Sequence, residues 1–435
     1  LTGGLNNNFT LGGLNLAFVL KYQNNQFFAE GTSGISLGSY NFSNARFKIS
    51  SSGTPTLEGT LTQPFNIGGL LSNFTLKYQN NALFAEGASS ISLGAYSFSS
   101  AKFKISSSGA VSLEGGITNN FIISGINTAF TLKYENNELF AESALGISLG
   151  NYNFPQARFK ISSSGAVSLL GNLTNAFSIA GLNPIQFNLK YENGILYAIA
   201  ASGINLGNYG FDAARIKIAS HGDIVLTGGL NNNFTLGGLN LAFVLKYQNN
   251  QFFAEGTSGI SLGSYNFPEA KFRISSVGLV SLVGNLVNNF SLPGISSLLP
   301  FTLTYNNGVI RATGSRVVSL GNYSFNASFS IDSNGNVTVS GSNTFNISGR
   351  SIGFNLHYAN GVFSAVGNTN IAVAGVNFSN ATVTISSNGT LDASGTASYT
   401  YAYACPTWEN PLQTCNNTVT ATLHYSSLQG FYFTY

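Results

Sequence analysis

The sequence of 435 residues contains no methionine, one tryptophan, two cysteines and nine prolines, and only 8% of its residues are charged. Charged residues make up about a quarter of a typical soluble domain. The formal net charge is only +3, and no basic stripe is visible, which argues against nucleic acid as a partner. A surface with so little charge favours self-association unless sugars cover it.

Long apolar runs are also missing. No segment approaches the roughly 18 apolar residues of a membrane-spanning helix, so we predict no transmembrane segment. The sequence has no initiator methionine and no signal peptide, and Leu1 aligns with Leu226, which lies inside a repeated strand. We therefore expect a mature or excised piece of a longer precursor.

The two cysteines, Cys405 and Cys415, lie close together in the least regular segment. Their spacing favours a local disulfide, formed in an oxidising compartment, over a reduced pair. The abundance of Gly, Ser, Thr and Asn is likewise unlike that of a cytosolic enzyme. Together these features predict an extracellular or cell-surface location.

What the sequence does contain is a tandem repeat, because residues 1–42 and 226–267 are identical. Two phrases recur about every 56 residues, a period typical of one supersecondary unit per repeat. The phrase Phe-x-Leu-x-Tyr ends at Tyr22, Tyr78, Tyr134, Tyr191, Tyr247, Tyr305, Tyr358 and, degraded, Tyr425. Ser-Leu-Gly-x-Tyr, or a close variant, ends at Tyr40, Tyr96, Tyr152, Tyr209, Tyr265 and Tyr323. We predict seven repeats at about 1–56, 57–112, 113–168, 169–225, 226–281, 282–337 and 338–390, with 391–435 as a partial eighth repeat or C-terminal cap.

The repeats alternate apolar and polar residues. In the second repeat Ala101, Phe103 and Ile105 alternate with Lys102 and Lys104. This period of two predicts a strand with one apolar and one basic face. Asn-Gly and Ser-Gly pairs between such runs supply the positive φ of tight turns. Each repeat is therefore predicted to form about four antiparallel strands of roughly 9–13 residues, and helix is nearly excluded.

A sheet with one apolar face must cover it. We predict an all-β fold in which the meander repeats stack into an elongated solenoid or sandwich around a shared core. The alternative is a seven-bladed β-propeller, which fits less well because central blade strands are buried on both faces. A curved open groove or a barrel fits the pattern less well still.

Candidate catalytic residues are hard to find, because nearly every notable polar residue is periodic. Glu30, Glu86, Glu142 and Glu255 recur in the phrase Phe-Ala-Glu and are best interpreted as a ladder on a sheet face. His221, His357 and His424 have no metal-ligand spacing. The segment Asp332–Asn336 imitates the start of a calcium loop but occupies the position of a hairpin turn. We predict no enzyme activity, cofactor or metal site.

Sequons for N-glycosylation are numerous, although a chain this rich in Asn, Ser and Thr contains many by chance. Asn8 and its equivalents Asn233 and Asn289 are predicted to point away from the core. The candidate glycosylation sites are Asn8, Asn41, Asn73, Asn172, Asn233, Asn289, Asn322, Asn326, Asn336, Asn346, Asn377, Asn380, Asn388 and Asn416.

Both ends of the array are predicted to be open sheet edges, which recruit other strands. The segment 391–435 has no counterpart of the Ala-x-Phe-Lys-Ile strand, and its last strand is aromatic. We predict an assembly strand with Phe431, Tyr432, Phe433 and Tyr435 that completes the sheet of the next copy, giving a head-to-tail homopolymer. The alternatives are that 391–435 forms a cap, with the disulfide loop folded over the edge, or that the polypeptide continues.

By its β-repeats, low charge, near-identical copies and scarce cysteine, the sequence resembles repetitive prokaryotic cell-surface proteins. This class includes extracellular filaments, S-layer-associated proteins and adhesin stalks. The resemblance implies a non-enzymatic structural subunit of a surface filament or array. The alternative hypothesis is an adhesin that binds surface glycans through repeated exposed aromatics such as Phe28, Phe84 and Phe140.

Overall fold

The structure is a computed structural model that describes residues 6–405, 407 and 412–435. These residues form strands and turns, and no helix occurs among them. The predicted all-β fold is confirmed.

Within that part of the chain, no helix is long and apolar enough to cross a membrane.

The chain divides into two compact units. The first contains Leu1–Ile179, Asn183–Ile204 and Ala214–Gly228, and the second contains Ala180–Leu182, Asn205–Ala213 and Gly229–Tyr435. The same repeated motif builds both units.

The first five repeats each contain seven strands. In the first repeat they are β1 (Asn6–Leu11), β2 (Leu14–Gln23), β3 (Gln26–Gly31), β4 (Ile35–Leu37), β5 (Tyr40–Phe42), β6 (Ala45–Ser50) and β7 (Pro55–Gly59). In the second they are β8 (Thr62–Ile67), β9 (Leu70–Gln79), β10 (Ala82–Gly87), β11 (Ile91–Leu93), β12 (Tyr96–Phe98), β13 (Ala101–Ser106) and β14 (Val111–Gly115). In the third they are β15 (Thr118–Ile123), β16 (Ile126–Glu135), β17 (Glu138–Ser143), β18 (Ile147–Leu149), β19 (Tyr152–Phe154), β20 (Ala157–Ser162) and β21 (Val167–Gly171). The fourth has β22 (Thr174–Phe177), β23 (Ile185–Glu192), β24 (Ile195–Ala200), β25 (Ile204–Leu206), β26 (Tyr209–Phe211), β27 (Ala214–Ala219) and β28 (Ile224–Gly228). The fifth has β29 (Asn231–Leu236), β30 (Leu239–Gln248), β31 (Gln251–Gly256), β32 (Ile260–Leu262), β33 (Tyr265–Phe267), β34 (Lys271–Ser275) and β35 (Val280–Val283).

The later repeats have fewer, longer strands. The sixth has β36 (Val287–Phe290), β37 (Leu299–Asn306), β38 (Val309–Leu320), β39 (Tyr323–Ile331) and β40 (Val337–Ser340). The seventh has β41 (Ser342–Ile347), β42 (Arg350–Ala359), β43 (Val362–Val373), β44 (Val376–Ile385) and β45 (Leu391–Ser394). The partial eighth has β46 (Thr396–Ala404), β47 (Thr414–Ser426) and β48 (Gly430–Thr434).

Each full repeat is a five-stranded antiparallel sheet. In the second repeat the order is β8-β9-β10-β13-β14, and β11 and β12 form a separate two-stranded hairpin between the third and fourth strands of the sheet. The sixth and seventh repeats keep the five-stranded order with unbroken strands. The prediction of about four strands of 9–13 residues was therefore wrong in detail, because turns such as the one at Gly94 and Ala95 divide the chain into shorter strands.

The core lies on one face of each sheet, under that hairpin. Ala101, Phe103 and Ile105 are buried, as their alternation predicts, and so are Leu93 and Phe98 of the hairpin. Apolar side chains from the sheet and from its own hairpin therefore pack together, but they leave part of the apolar face to be covered by a neighbouring repeat.

Successive repeats share their core through aromatic contacts. Phe65 of the second repeat packs edge-on against Tyr40 and Phe42 of the first, with ring centroids 5.2 and 5.1 Å apart. Tyr78 packs against Phe47 in the same way at 5.1 Å. The first contact recurs at Phe121, Phe177, Phe234, Phe290 and Phe345. The predicted stacking of repeats around shared apolar surface is confirmed.

Glycines allow the repeats to approach closely. A Cβ atom added to Gly109, in a hairpin turn of the second repeat, would lie 2.7 Å from the Cα of Gly38 in the first. No side chain fits in that space. The same close approach joins Gly94 to Gly165, Gly150 to Gly222, Gly207 to Gly278, Gly263 to Gly335 and Gly321 to Gly389.

A polar contact repeats beside the aromatic one. The side-chain amide of Asn119 donates a hydrogen bond to the carbonyl of Ser97 in the preceding repeat, at 2.9 Å. Equivalent bonds are donated by Asn175, Asn232, Asn288 and Asn343. The third to seventh repeats therefore contact their predecessors through both apolar and polar groups.

We predict that Gly109→Ala lowers stability more than Gly53→Ala does. Both glycines have positive φ, 86° and 81°, so both variants carry the same backbone strain. Only at Gly109 would the new methyl group collide with another repeat, since nothing lies within 4 Å of a Cβ at Gly53. Overpacking costs about 1–3 kcal/mol, and this difference should appear in the thermal unfolding midpoints. Equal midpoints would contradict the close approach of the two repeats.

Candidate functional site

The recurring glutamates lie on the outer face of the sheets, each between two cations. Glu86 on β10 accepts hydrogen bonds from Lys77 (2.5 Å) and Lys102 (2.9 Å), and its side chain is only 14% exposed. The same arrangement surrounds Glu30, Glu142 and Glu255. The glutamates therefore link the second, third and fourth strands of their sheets.

The ion pairs favour the charged form of Glu30, Glu86 and Glu255. The hydrogen bond from Lys77, followed by the one from Lys102, lowers the pKa of Glu86, although burial opposes the shift. Burial raises the pKa of Glu255, but hydrogen bonds from Lys246 and Arg273 outweigh it, so the net pKa is lowered. A general acid needs a raised pKa, so the arrangement suits a stabilising role rather than acid catalysis.

The repeated phenylalanines share this outer face, yet they are covered. Lys104 lies over the ring of Phe84, 4.7 Å from its centroid. Phe84 is 9% and Phe140 is 6% exposed, and lysines cover Phe28 and Phe140 in the same way. Phe84 and Phe140 are therefore buried rather than exposed, whereas Phe28 is partly exposed. Their cation–π contacts stabilise the sheet.

The segment that imitates a calcium loop is a hairpin turn. The carboxylate of Asp332 accepts hydrogen bonds from the backbone N–H groups of Asn334 (2.9 Å) and Asn336 (2.8 Å) and from the side chain of Asn336. These bonds, with that side chain first, lower the pKa of Asp332. Among the described residues, no three His, Cys, Asp or Glu side chains form a group that could hold a metal ion.

Cys405 and Cys415 form a disulfide with their Cα atoms 5.8 Å apart. Most of the loop between them, residues 406 and 408–411, lies outside the described residues. The disulfide ties the end of β46 to the start of β47, which are paired strands.

All fourteen predicted glycosylation sites are exposed. They are unevenly spread along the chain: Asn8, Asn41, Asn73, Asn172 and Asn233 precede residue 274, and the other nine follow it. Charged residues show the opposite trend, because only Arg311, Arg316, Arg350, Asp332, Asp392 and Glu409 follow residue 274. The charge-poor part of the chain is therefore the sequon-rich part.

The first repeat has an apolar face that no described residue covers. Leu20 is 40% and Phe27 is 48% exposed, whereas the identical residues of the fifth repeat, Leu245 and Phe252, are 2% and 1% exposed. Phe9 and Tyr22 are exposed on the same face. We call these four residues, Phe9, Leu20, Tyr22 and Phe27, the N-terminal face. Since the sequences are identical, the difference arises from the neighbour and not from the residues.

Asn7 of the first repeat occupies the position of the asparagines that make the polar contact between repeats. The side-chain oxygen of Asn7 accepts a hydrogen bond from the backbone of Asn8, just as Asn119 does with Asn120. In the later repeats the amide of this asparagine bonds to the preceding repeat. The side chain of Asn7 therefore has the same local hydrogen bond as Asn119, whose amide donates to the preceding repeat.

At the other end, β48 is an edge strand. It pairs with β47, and no described strand pairs with its second edge. Phe431, Tyr432, Phe433 and Thr434 occupy the positions of Leu83 to Glu86 on β10, whose second edge pairs with β13. The eighth repeat has no such partner among the described strands.

Several aromatic rings lie close together on the eighth repeat. Tyr399 stacks with Tyr401 and Tyr435 at centroid distances of 6.0 and 5.9 Å. Tyr403 is 47% and Tyr435 is 77% exposed. We call these four tyrosines the C-terminal face. Phe433 lies beneath it and packs against Phe378 of the seventh repeat, so the face is anchored to the array.

Searches of protein-family models, curated proteins and solved structures found no match to this chain.

We predict that Glu86→Gln destabilises the protein by about 1–2 kcal/mol near neutral pH, because charge-assisted hydrogen bonds are lost. A lowered folded-state pKa means that this stabilisation is present above the ordinary carboxyl pKa and lost as the pH falls through the folded value. Unfolding curves of the wild type and the variant should therefore converge in acid.

The matched control is Glu58→Gln, since Glu58 is 46% exposed in its pair with Lys48 and such pairs contribute little. A gap between wild type and Glu86→Gln that stays constant from neutral pH into acid would count against the ion-pair explanation.

We also predict that sugars on the native protein concentrate after residue 274, where sequons are exposed and charge is scarce. Glycopeptide mass mapping of the protein from its source should find more occupied sites among Asn289, Asn322, Asn326, Asn346 and Asn377 than among the five sequons before residue 274. Unmodified asparagine at all fourteen positions would refute the prediction.

Proposed function

We propose that this protein is a non-enzymatic, extracellular structural protein whose copies join head to tail into a cell-surface filament or array. The observation that carries the proposal is the N-terminal face. Leu20 and Phe27 are exposed there, while the same residues of the fifth repeat, Leu245 and Phe252, are buried.

The surface that covers such a face inside the array is the apolar side of a preceding repeat. The C-terminal face presents the apolar side of the eighth repeat, with Tyr435 and Tyr403 exposed. Among the described residues, no hairpin or fourth strand covers this surface. The C-terminal face of one copy is therefore suited to pack against the N-terminal face of another copy.

The free energies involved indicate that both apolar packing and strand pairing contribute to the contact between copies. Covering four half-exposed apolar side chains gives about 3–6 kcal/mol, which is comparable to the cost of association. The free edge of β48 offers further backbone hydrogen bonds to a neighbouring strand. A contact between two different faces is heterologous, and such contacts build open chains when the rotation does not close.

The extracellular location is supported by the disulfide of Cys405 and Cys415 and by the exposed sequons. The low charge of the chain favours association between copies. The alternative adhesin hypothesis rested on exposed aromatic rings, and lysines lie over the rings of Phe28, Phe84 and Phe140.

We predict that Leu20→Asp and Tyr435→Asp each abolish long assemblies without lowering the thermal midpoint by more than a few degrees. An aspartate on either face places an unpaired charge in the contact. Negative-stain electron microscopy and sedimentation velocity at micromolar concentration measure the loss. Leu71→Asp is the control, because Leu71 is 72% exposed and belongs to neither face.

Mixing the two variants gives the sharper test. Leu20→Asp retains an intact C-terminal face and Tyr435→Asp an intact N-terminal face, so an equimolar mixture should form dimers and nothing longer. Assembly that survives both substitutions, or wild-type protein that stays monomeric at all concentrations, would overturn the proposal.

A further inference from the structure

The outer face of the sixth sheet differs from that of the fifth. The pairing of Thr304 with Arg311 matches that of Lys246 with Phe253, so corresponding positions can be compared directly. Four charged residues of the fifth repeat are replaced by short hydroxyl side chains, and the covered phenylalanine is replaced by arginine. The replacements are Thr304 for Lys246, Thr313 for Glu255, Ser328 for Lys271, Ser330 for Arg273 and Arg311 for Phe253.

An open groove takes the place of those larger side chains. It has a volume of about 690 Å³ and is lined by Thr302, Arg311, Thr313, Ser328 and other residues of the sixth sheet. A second hollow of about 340 Å³, which includes Asn306, also contacts Arg311. Both volumes fall within the range of small-ligand sites, and Arg311 lies where the two hollows meet.

Arg311 is the cation of this groove. Its side chain is exposed, and among the described residues no carboxylate lies within ion-pair distance of it. The groove lining contains no Asp or Glu. A guanidinium group without a protein partner binds carboxylate or sulfate through two parallel hydrogen bonds.

Hydroxyl side chains line the groove together with this cation. Those of Thr302, Thr313, Ser328 and Ser330 have no side-chain hydrogen bond to another described residue. A hydroxyl both donates and accepts, so these groups match the hydroxyls of a sugar. Phe329 adds no stacking surface, because it is 2% exposed. The groove therefore suits a polar ligand with an anionic group and not a flat apolar one.

We propose that the groove on the sixth repeat binds an acidic polysaccharide, with Arg311 holding a carboxylate or sulfate group and the Thr and Ser hydroxyls contacting the sugar hydroxyls. This site is separate from the N-terminal and C-terminal faces. Binding there does not require the copies to assemble, and assembly does not require the ligand.

The experiment is a titration of the full chain, by calorimetry or NMR, with three sugars of equal length. Tetragalacturonate carries carboxylates, sulfated maltotetraose carries sulfates, and maltotetraose is neutral. At least one anionic sugar should bind ten times or more tightly than the neutral one. The anionic sugar that binds identifies which group Arg311 prefers.

Two substitutions test the assignment. Arg311→Gln should weaken anionic-sugar binding at least tenfold, and so should Thr313→Glu, which restores the glutamate of the fifth repeat and pairs with Arg311. Arg316→Gln is the control, because it removes the same charge while its guanidinium contacts Ser297 and does not line the groove. Its binding should equal that of the wild type.

Thermal midpoints establish that each variant is folded. The proposal fails if the wild type binds none of the three sugars, if it binds neutral and anionic sugars equally, or if folded Arg311→Gln binds as tightly as the wild type. Equal losses in Arg311→Gln and Arg316→Gln would also overturn it, because net charge alone would then explain the binding.

Discussion

Each sheet of this protein has an apolar face that its own hairpin covers only in part, and a neighbouring repeat must cover the rest. The edge-on rings of Phe65, Tyr40 and Phe42, the close approach of Gly38 and Gly109, and the asparagine bond at Asn119 are all parts of this one contact. In such arrays stability is the sum of weak repeats and strong nearest-neighbour terms. In the first repeat part of this apolar surface is exposed, and Leu20 there is 40% exposed.

The two faces of the sheets differ in the groups that they contact. The inner face carries Phe, Leu and Ile at fixed positions, because it must fit both its own hairpin and the next repeat. The outer face meets no other repeat through these positions, so its chemistry is free to vary. Glu86 with its two lysines occupies it in the second repeat, whereas Thr313 and Ser330 occupy the corresponding positions in the sixth. Any specific recognition by single repeats is therefore expected on the outer face.

Much of the fold follows from local patterns in the sequence. The alternation of Ala101, Phe103 and Ile105 predicts which face is buried, and the place of Asp332 in the repeat predicts a turn. The covering of Phe84 could not be predicted, because it depends on the pairing of Phe84 with Ser106 across an intervening hairpin. That register brings Lys104 over the ring.

The exposure of Leu20 shows a second limit of prediction from the sequence. Leu245 has the same sequence around it and is buried. No property of the residues themselves separates the two; only the neighbouring repeat does. The candidate assembly faces are therefore visible only when each repeat is compared with its copies in three dimensions.

The identity of residues 1–42 and 226–267 also has a kinetic consequence. In an unfolded chain these two segments compete equally for the same surfaces. Either segment can therefore pack against a repeat that contacts only one of them in the native fold. Synthesis from the N-terminus resolves the competition, because the first copy has folded before the second emerges. Refolding of this chain from denaturant lacks that order, so we expect it to pass through species in which the wrong copy is docked and must be released.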